Sequence, residues 1–426
     1  MRTFVGFGLG PIQAGLFLAE AHLSGQFSRL VVAEIQPDVV NAVRRAGGFT
    51  VNIAYADHVE ALAVHPVDAY NPQVESDRDA LVEAVACAEE MATALPSVDS
   101  YARGDAGSIA ALLAEGLRSK AAGKGPLAVI YVGENHPAAA TLLEKAVMEA
   151  VPAADRPAVR RRAQFLETVI GKMSGIPEEL GNVAPIAPGL ARAFLVETYN
   201  QISVSRVRRS GPEADDLDPD WIAYRRGIAA FQERTEMRPF VDAKLYGHNA
   251  GHALAAYAAR LLGFTHMPQL RGRPDVLAFV RDAMTEESGV PLIRRYGGMD
   301  ALFTREGFRV HAEDLVARMT NPSLRDSVAR VARDPARKLA WDDRLIGAMR
   351  LAVDAGIAPC RYAFGAAAAL DALGVSPGHA GPFLRDLWRT AAPDPGTTGR
   401  LLDYIAVASE GTRVWKERHF PKLDTE

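Results

Sequence analysis

Cysteine is nearly missing from this 426-residue chain: Cys87 and Cys360 are the only two, far apart and in no pairing pattern. Their scarcity excludes a disulfide framework and a thiolate zinc site and makes a reducing cytoplasm the expected compartment. No run of about 18 uninterrupted apolar residues occurs, so no membrane span is expected. The opening "MRTFVGFG" enters a buried-strand pattern at once, without a basic segment ahead of an apolar one, so no secretory leader is expected either. Charge of one sign is also short: 48 Lys and Arg against 52 Asp and Glu leave a net −4, too weak a field to draw the chain to nucleic acid or an anionic membrane. Internal repeats and low-complexity tracts are absent.

What remains is the composition of a globular protein, 48% hydrophobic and 23% charged, in a chain longer than one core usually serves. The apolar runs "TFVGFG" and "RLVVAEI" have strand length and flank the helical "PIQAGLFLAEAHLSG"; "MATALP", "PLAVIYVG" and "RAQFLETVIGKMSG" continue the ladder. Strands alternating with helices of this length predict right-handed βαβ units and a parallel sheet. From about Pro188 the β pattern fades, and stretches such as "DWIAYRRGIAAFQER", "PDVLAFVRDAMTEESG" and "YAFGAAAALDALG" read as helices, while "RRSGPEADDLDPD" reads as a loop. The expected fold is α/β, with a Rossmann-type parallel-sheet domain over residues 1–188 and a mostly α-helical domain over residues 189–426.

"FGLGPIQAG" places Gly8 and Gly10 directly after the first strand, and Gly15 further along the next helix. Such a turn brings backbone N–H groups and a helix N-terminus against a pyrophosphate. The GxGxxG pattern is incomplete, because Gln13 stands at its third glycine. Glu34 closes the second strand, somewhat beyond the spacing of about 20 expected for the acid that binds adenosine ribose hydroxyls. A carboxylate there repels a 2′-phosphate and selects NAD over NADP, while a solvated strand-end charge is the competing reading. Gly8, Gly10, Pro11, Ile12, Gln13, Glu34 and Leu95 are the candidate cofactor residues.

The stretch "AKLYGHNAGHALAAYAARLLGF" is an alanine-rich helix whose first turns carry Lys244, His248, Asn249 and His252. On an α-helix His248, His252 and Asn249 lie about 40°, 80° and 140° from Lys244, a shared face suited to a small polar pocket rather than a core seam. A desolvated lysine can act as general base for an alcohol that gives hydride to a nicotinamide, with amide donors stabilising the oxyanion. An exposed helix start is the competing reading. His248 and His252 have a zinc-like spacing but no third ligand nearby in sequence, so no metal is expected.

At this point the chain resembles the polyol-specific long-chain dehydrogenases, the mannitol dehydrogenase family. Its site motif, a Lys, four residues, an Asn, two residues and a His, is matched by Lys244, Asn249 and His252, and the similarity continues through "EESGVPLIRRYG", "NPSLRDSVARVARDPARKLAWDDRLIG" and "GENHPAAATLLEKAV". The resemblance implies metal-independent, NAD-linked interconversion of a polyol or polyol phosphate, of the mannitol 1-phosphate kind, with its ketose. In it Lys244 is the general base, Asn249 and Asn135 are oxyanion donors, and His252 holds substrate hydroxyls or the lysine. His248 has no counterpart. The chain departs from the family at "KMSGIPEE", where Ser174 and Gly175 stand in place of an Asp-Arg pair, at "GEN", where a cysteine is usual, and at Gln13.

A phosphate would want guanidinium or ammonium groups. Arg330, Arg333, Arg337 and Lys338 offer them, the three arginines falling on one side as a stripe at helical spacing, as do Arg294 and Arg295; Arg333 and Lys338 are the first candidates, and a solvated or salt-bridged basic face is the alternative. The expected partner is a small-molecule polyol or polyol phosphate, and the chain is expected to be a monomer or a small homo-oligomer. Competing functional readings are an opine- or hydroxyacid-type dehydrogenase and a non-catalytic NAD-binding relative.

Overall fold

The computed structural model describes residues 2–123, 125–209, 217–418 and 421. Much of the expected loop "RRSGPEADDLDPD" lies outside the described residues. The chain divides between Met237 and Arg238 into two compact units. The boundary expected at 188/189 falls inside the first unit, because three short strands beyond it still pair with that unit's sheets.

Among the described residues the first unit has the strands β1 Arg2–Phe7, β2 Phe27–Ala33, β3 Phe49–Ala54, β4 Val59–Val64, β5 Asp68–Tyr70, β6 Glu90–Thr93, β7 Ala128–Val132, β8 Ala163–Val169, β9 Ser174–Gly175, β10 Phe194–Glu197, β11 Ser203–Ser205 and β12 Gln232–Arg234. The main sheet runs β12-β11-β8-β7-β6-β1-β2-β5. Its six strands from β8 to β5 are parallel, in the doubly wound order that reverses next to β1. β11 joins β8 antiparallel. A second sheet, β4-β3-β10-β9, was not expected from the sequence.

Period-two burial on the central strands shows why the main sheet is covered on both faces. Val129 and Tyr131 of β7 join the core that contains Phe17, Val51 and Val196, whereas Ala128, Ile130 and Val132 join the core of Leu81, Leu113 and Leu143. The latter core is supplied by the helices Glu75–Cys87, Ile109–Ala122 and Ala139–Ala150. The former is closed by the second sheet and by a helix that starts as a π turn, Gln13–Leu18, before an α-helical Ala19–Leu23. Gly15 is required there: a Cβ would lie 2.5 Å from Val196 Cγ1.

"DWIAYRRGIAAFQER" is not the expected helix. It forms a single 3₁₀ turn, Pro219–Ile222, and the strand β12. Trp221, Tyr224, Ile228 and Phe231 have helix-like spacing, but each is a buried peg driven into the sheet core from a loop. The indole N–H of Trp221 donates to the Arg161 carbonyl, and Arg209 and Arg226 hold the Glu233 carboxylate, so the segment is fixed without a helical ladder.

The second unit is helical. Its axis is one continuous helix from Arg238 to Leu261: an α-helical Arg238–Asp242, a π turn Ala243–Asn249 and the α-helical Ala250–Leu261. From Ala253 to Ala259 every residue of the last part is buried. Around it pack the helices Val328–Ala332, Arg344–Asp354 and Cys360–Ala372. A second π turn, Ala283–Gly289, packs beside the first. Among the described residues no helix is long and apolar enough to cross a membrane.

Candidate active site

In the first unit the chain leaves β1 through Gly8, whose φ of +80° is a left-handed conformation that glycine adopts without strain. A Cβ there would also press on Leu95 Cδ2 at 3.1 Å. The Gly8 N–H donates to the Ala33 carbonyl at 2.8 Å and ties the turn to the end of β2. Glu34 finishes the clasp: its carboxylate accepts the N–H of Leu9 at 2.8 Å and that of Gln36 at 2.9 Å. Only 6% exposed, Glu34 is not the solvated strand-end charge of the competing reading. Two backbone donors leave half of its roughly four acceptor positions for ribose hydroxyls.

A Cβ on Gly10 would meet nothing within 4 Å, so the backbone there is open to a ligand at the start of the helix that begins with Pro11 and Ile12. These residues fit a dinucleotide: an open glycine, helix-start N–H groups and a buried carboxylate with acceptor positions to spare. Gln13 does not belong with them. Its side chain is fully buried over Gly6, with neither amide atom hydrogen-bonded, and so is not exposed to a cofactor.

The "GEN" carboxylate has a different use from its neighbour. Glu134 is buried and accepts from the Thr93 hydroxyl (2.8 Å), the Leu95 N–H (2.8 Å) and the Tyr101 hydroxyl (2.7 Å), so it staples the loop after β6 to the loop after β7. Asn135, next in the chain, is exposed. Ser174 and Gly175 form β9, paired through their backbones with Val196 and Leu195, and supply no side-chain charge where the family has its pair. The nearest basic group in sequence is Lys172, whose ammonium donates to the Tyr199 carbonyl at 2.9 Å.

In the second unit the π turn changes the expected face. A π turn closes to residue i+5 instead of i+4, so it takes one more residue per turn. Lys244 and Asn249 are five apart: the angle of about 140° calculated for an α-helix collapses toward a common side. Close approach by neighbours accompanies the widening. A Cβ on Gly347 would lie 2.3 Å from the Tyr246 ring, and one on Gly251 would lie 2.5 Å from Met284 Sδ.

Burial, with the Arg344 guanidinium adding to it, pushes the Lys244 ammonium down to about 8. This is the state a lysine base requires, a substantial neutral fraction near physiological pH. Burial also drives His252 down to about 4, against the opposing pull of Asp326. Its Nε2 is buried without a hydrogen-bond partner and lies 3.7 Å from Asp326 Oδ2. His248 is displaced well below the imidazole range, chiefly by burial and then by Arg318 and His252. The imidazoles stay neutral and are weak bases there, so the partly neutral Lys244 amine is the group of the three able to take up a proton near neutral pH. Among the described residues no group of three or more His, Cys, Asp or Glu is placed to hold a metal ion.

The expected arginine stripe is not formed. The helix Val328–Ala332 ends before Arg333, Asp334 has φ +54°, and a new turn begins at Pro335. Pro335 cannot continue a helix, since it has no N–H and its ring clashes with the preceding turn. Arg330 forks onto Asp326 with both contacts at 2.7 Å, Arg294 donates to the Ala355 carbonyl at 2.7 Å, and Arg295 faces the buried Asp242 at 3.7 Å. Lys338 is buried and donates to the Arg333 carbonyl, while the Arg333 side chain is exposed. Arg344 was not singled out by sequence, because nothing in "WDDRLIG" announces a neighbour one hundred residues away.

Residues 236–372 match the family model described as the mannitol dehydrogenase C-terminal domain. The chain is 29% identical over 366 residues to the mannitol-1-phosphate 5-dehydrogenase of Bacillus licheniformis, covering 85% of this chain and 86% of that one. Among solved structures it resembles the Pseudomonas fluorescens mannitol 2-dehydrogenase in ternary complex with NAD and D-mannitol, with a TM-score of 0.68, 14% identity and coverage of 98% and 94%. A substrate-free D-sorbitol dehydrogenase gives 0.74 at 13% identity, with coverage of 98% and 93%.

Proposed function

Because the chain belongs to the mannitol dehydrogenase family, we propose that it is an NAD-dependent dehydrogenase interconverting a polyol or polyol phosphate with the corresponding ketose, using Lys244 as general base and no metal. The observation that carries the base assignment is the Lys244 amine, brought down to about 8 and set on a π turn with Asn249 one turn away. NAD supplies the hydride acceptor when bound. Gly8, Gly10 and the helix start would cradle its pyrophosphate, with Glu34 toward the ribose.

In oxidation the neutral Lys244 amine takes the hydroxyl proton, so that electron density builds on oxygen and hydride can leave the carbon. The Asn249 amide donates to that oxygen, and the role we assign Asn135 is a second such donor. In the reverse direction the Lys244 ammonium returns the proton to the alkoxide. A neutral His252 orients a substrate hydroxyl without adding a cation. Two free, exposed thiols, Cys87 and Cys360, suit the reducing cytoplasm to which we assign the protein.

The test is a screen with NAD over free and phosphorylated hexitols and pentitols, read as NADH absorbance. Mannitol 1-phosphate is the first probe, because the curated relatives carry that name. Turnover unaffected by a chelator supports the reading. Binding of NADH with no oxidation of any member would overturn it.

A further inference from the structure

The two π turns of the second unit are braced to each other, and the brace falls on the turn that carries Lys244 and Asn249. Ser288, fully buried in Ala283–Gly289, donates its hydroxyl to the Tyr246 carbonyl at 2.6 Å. The buried Tyr362 hydroxyl lies 2.8 Å from Ser288 Oγ and 3.3 Å from the same carbonyl. Two hydroxyl protons therefore serve a cluster of three oxygens, and they converge on a main-chain carbonyl inside Ala243–Asn249. A helical carbonyl is normally met from within its own helix. One met from outside as well is held in the position the widened turn gives it.

The surroundings leave little freedom for another arrangement. Glu287, one residue before Ser288, is buried and accepts the N–H groups of Arg361 (2.8 Å) and Tyr362 (3.0 Å), capping the helix Cys360–Ala372 and fixing both partners of the brace. Gly289, one residue after, has no room for a Cβ, which would lie 2.8 Å from Phe308 Cδ1. Gly251 and Gly347 admit Met284 and the Tyr246 ring at distances no side chain would permit. "EESG" was part of the resemblance but had no chemical role in the site; this contact gives it one.

We propose that Ser288, seconded by Tyr362, is a positioning residue that holds the Ala243–Asn249 turn in π form and so keeps Lys244 and Asn249 on one side for proton transfer. The turn then differs from an α-helix by one inserted residue, and loss of the brace lets it relax toward α register, which leaves the amine and the amide about 140° apart around the helix. Neither hydroxyl touches substrate in this account. The inference rests on Lys244 being the base, as proposed above, and its test separates the two.

Ser288→Ala and Tyr362→Phe are compared with the parent and with Lys244→Ala, using NAD with mannitol 1-phosphate or the best polyol of the screen. Backbone hydrogen exchange over residues 245–251 is followed in parallel. Ser288→Ala should lose about tenfold or more in kcat, since small misplacements of catalytic groups carry such factors, with KM for NAD within about twofold. Its amides from Gly247 to Gly251 should exchange about tenfold faster. Tyr362→Phe, which keeps the ring and the Ser288 donor, should show the same changes at about threefold and serves if Ser288→Ala does not fold.

A kcat and exchange pattern equal to the parent in both variants, with Lys244→Ala inactive, would overturn the positioning role and leave the base assignment intact. A merely structural role would lower the melting temperature without moving kcat, which also overturns it. If Lys244→Ala remains active, the base assignment fails, and the exchange data alone decide whether the brace holds the turn.

Discussion

The Leu9 N–H donates to Glu34 Oε2 at 2.8 Å, so one carboxylate both fastens the glycine turn to the second strand and stands where a dinucleotide ribose is expected. Sequence gave Glu34 only the second task. The geometry adds the first and makes the residue doubly sensitive to substitution.

Glu34→Gln retains an acceptor for one of its two backbone donors but removes the charge. We expect NADH affinity to fall by about tenfold, roughly one charge-assisted hydrogen bond. NADPH affinity should fall less, because the repulsion of a 2′-phosphate is relieved. Titration calorimetry with both nucleotides reads the ratio, and an unchanged NADH to NADPH preference would remove Glu34 from the ribose role.

Arg344 lies outside the Lys244 helix, yet its charge is part of what depresses the amine. Replacing it by Gln leaves Asp343 as N-cap of the following helix and removes a like charge. The sign is fixed. With Lys244 as the proposed base, oxidation is expected to rise with pH through about 8 and then level, because it would use the neutral amine, while ketose reduction, which would use the ammonium, should fall over the same interval. In Arg344→Gln the amine holds its proton to higher pH, and both limbs should move alkaline by about half a unit to one unit. A profile that stays in place, or moves acid, would show that burial alone sets the amine.

Gln13 is a buried amide without a hydrogen-bond partner among the described residues, a group whose desolvation costs about 1–3 kcal/mol. Gln13→Met keeps the length, removes the polarity and should raise stability by about 1 kcal/mol in urea denaturation. Gly6→Ala should do the reverse, since its Cβ would lie 2.3 Å from Gln13 Nε2. Its cost should shrink when Gln13 is shortened to Ala in the same chain. Destabilisation by Gln13→Met would mean that the amide has a partner in solution.

The parallel sheet was legible because its strands are buried on both faces and read as uninterrupted apolar runs, as in "PLAVIYVG" for β7. The second sheet was not. β9 and β10 have two and four residues, too short for period two to register, and β3 and β4, the other strands of that sheet, lie in a stretch whose alternation is shallow. Trp221, Tyr224, Ile228 and Phe231 misled in the opposite direction: spacing alone does not distinguish one face of a helix from four pegs of a loop.

At the site, residue types were readable and register was not. Lys244, Asn249 and His252 stood out as polar groups opening an apolar helix on one shared face, but the 3.6-residue period put Asn249 at the edge of that face, about 140° from Lys244, and the π turn draws the two closer. The arginines beyond Asp326 were read as one helical stripe, although Pro335 in the middle of the run forbade it. Arg344, Ser288 and Tyr362 act on the lysine turn from distant parts of the chain and leave no local signature.

The most direct measurement is the rate of polyol oxidation by Lys244→Ala across pH 6 to about 10, beside the parent, with NADH binding measured on both. Loss of a general base predicts a fall of about 10³-fold, loss of the limb centred near 8, and unchanged NADH affinity. Substantial oxidation by the variant at neutral pH, with the same pH dependence as the parent, would contradict the assignment of Lys244 as the base.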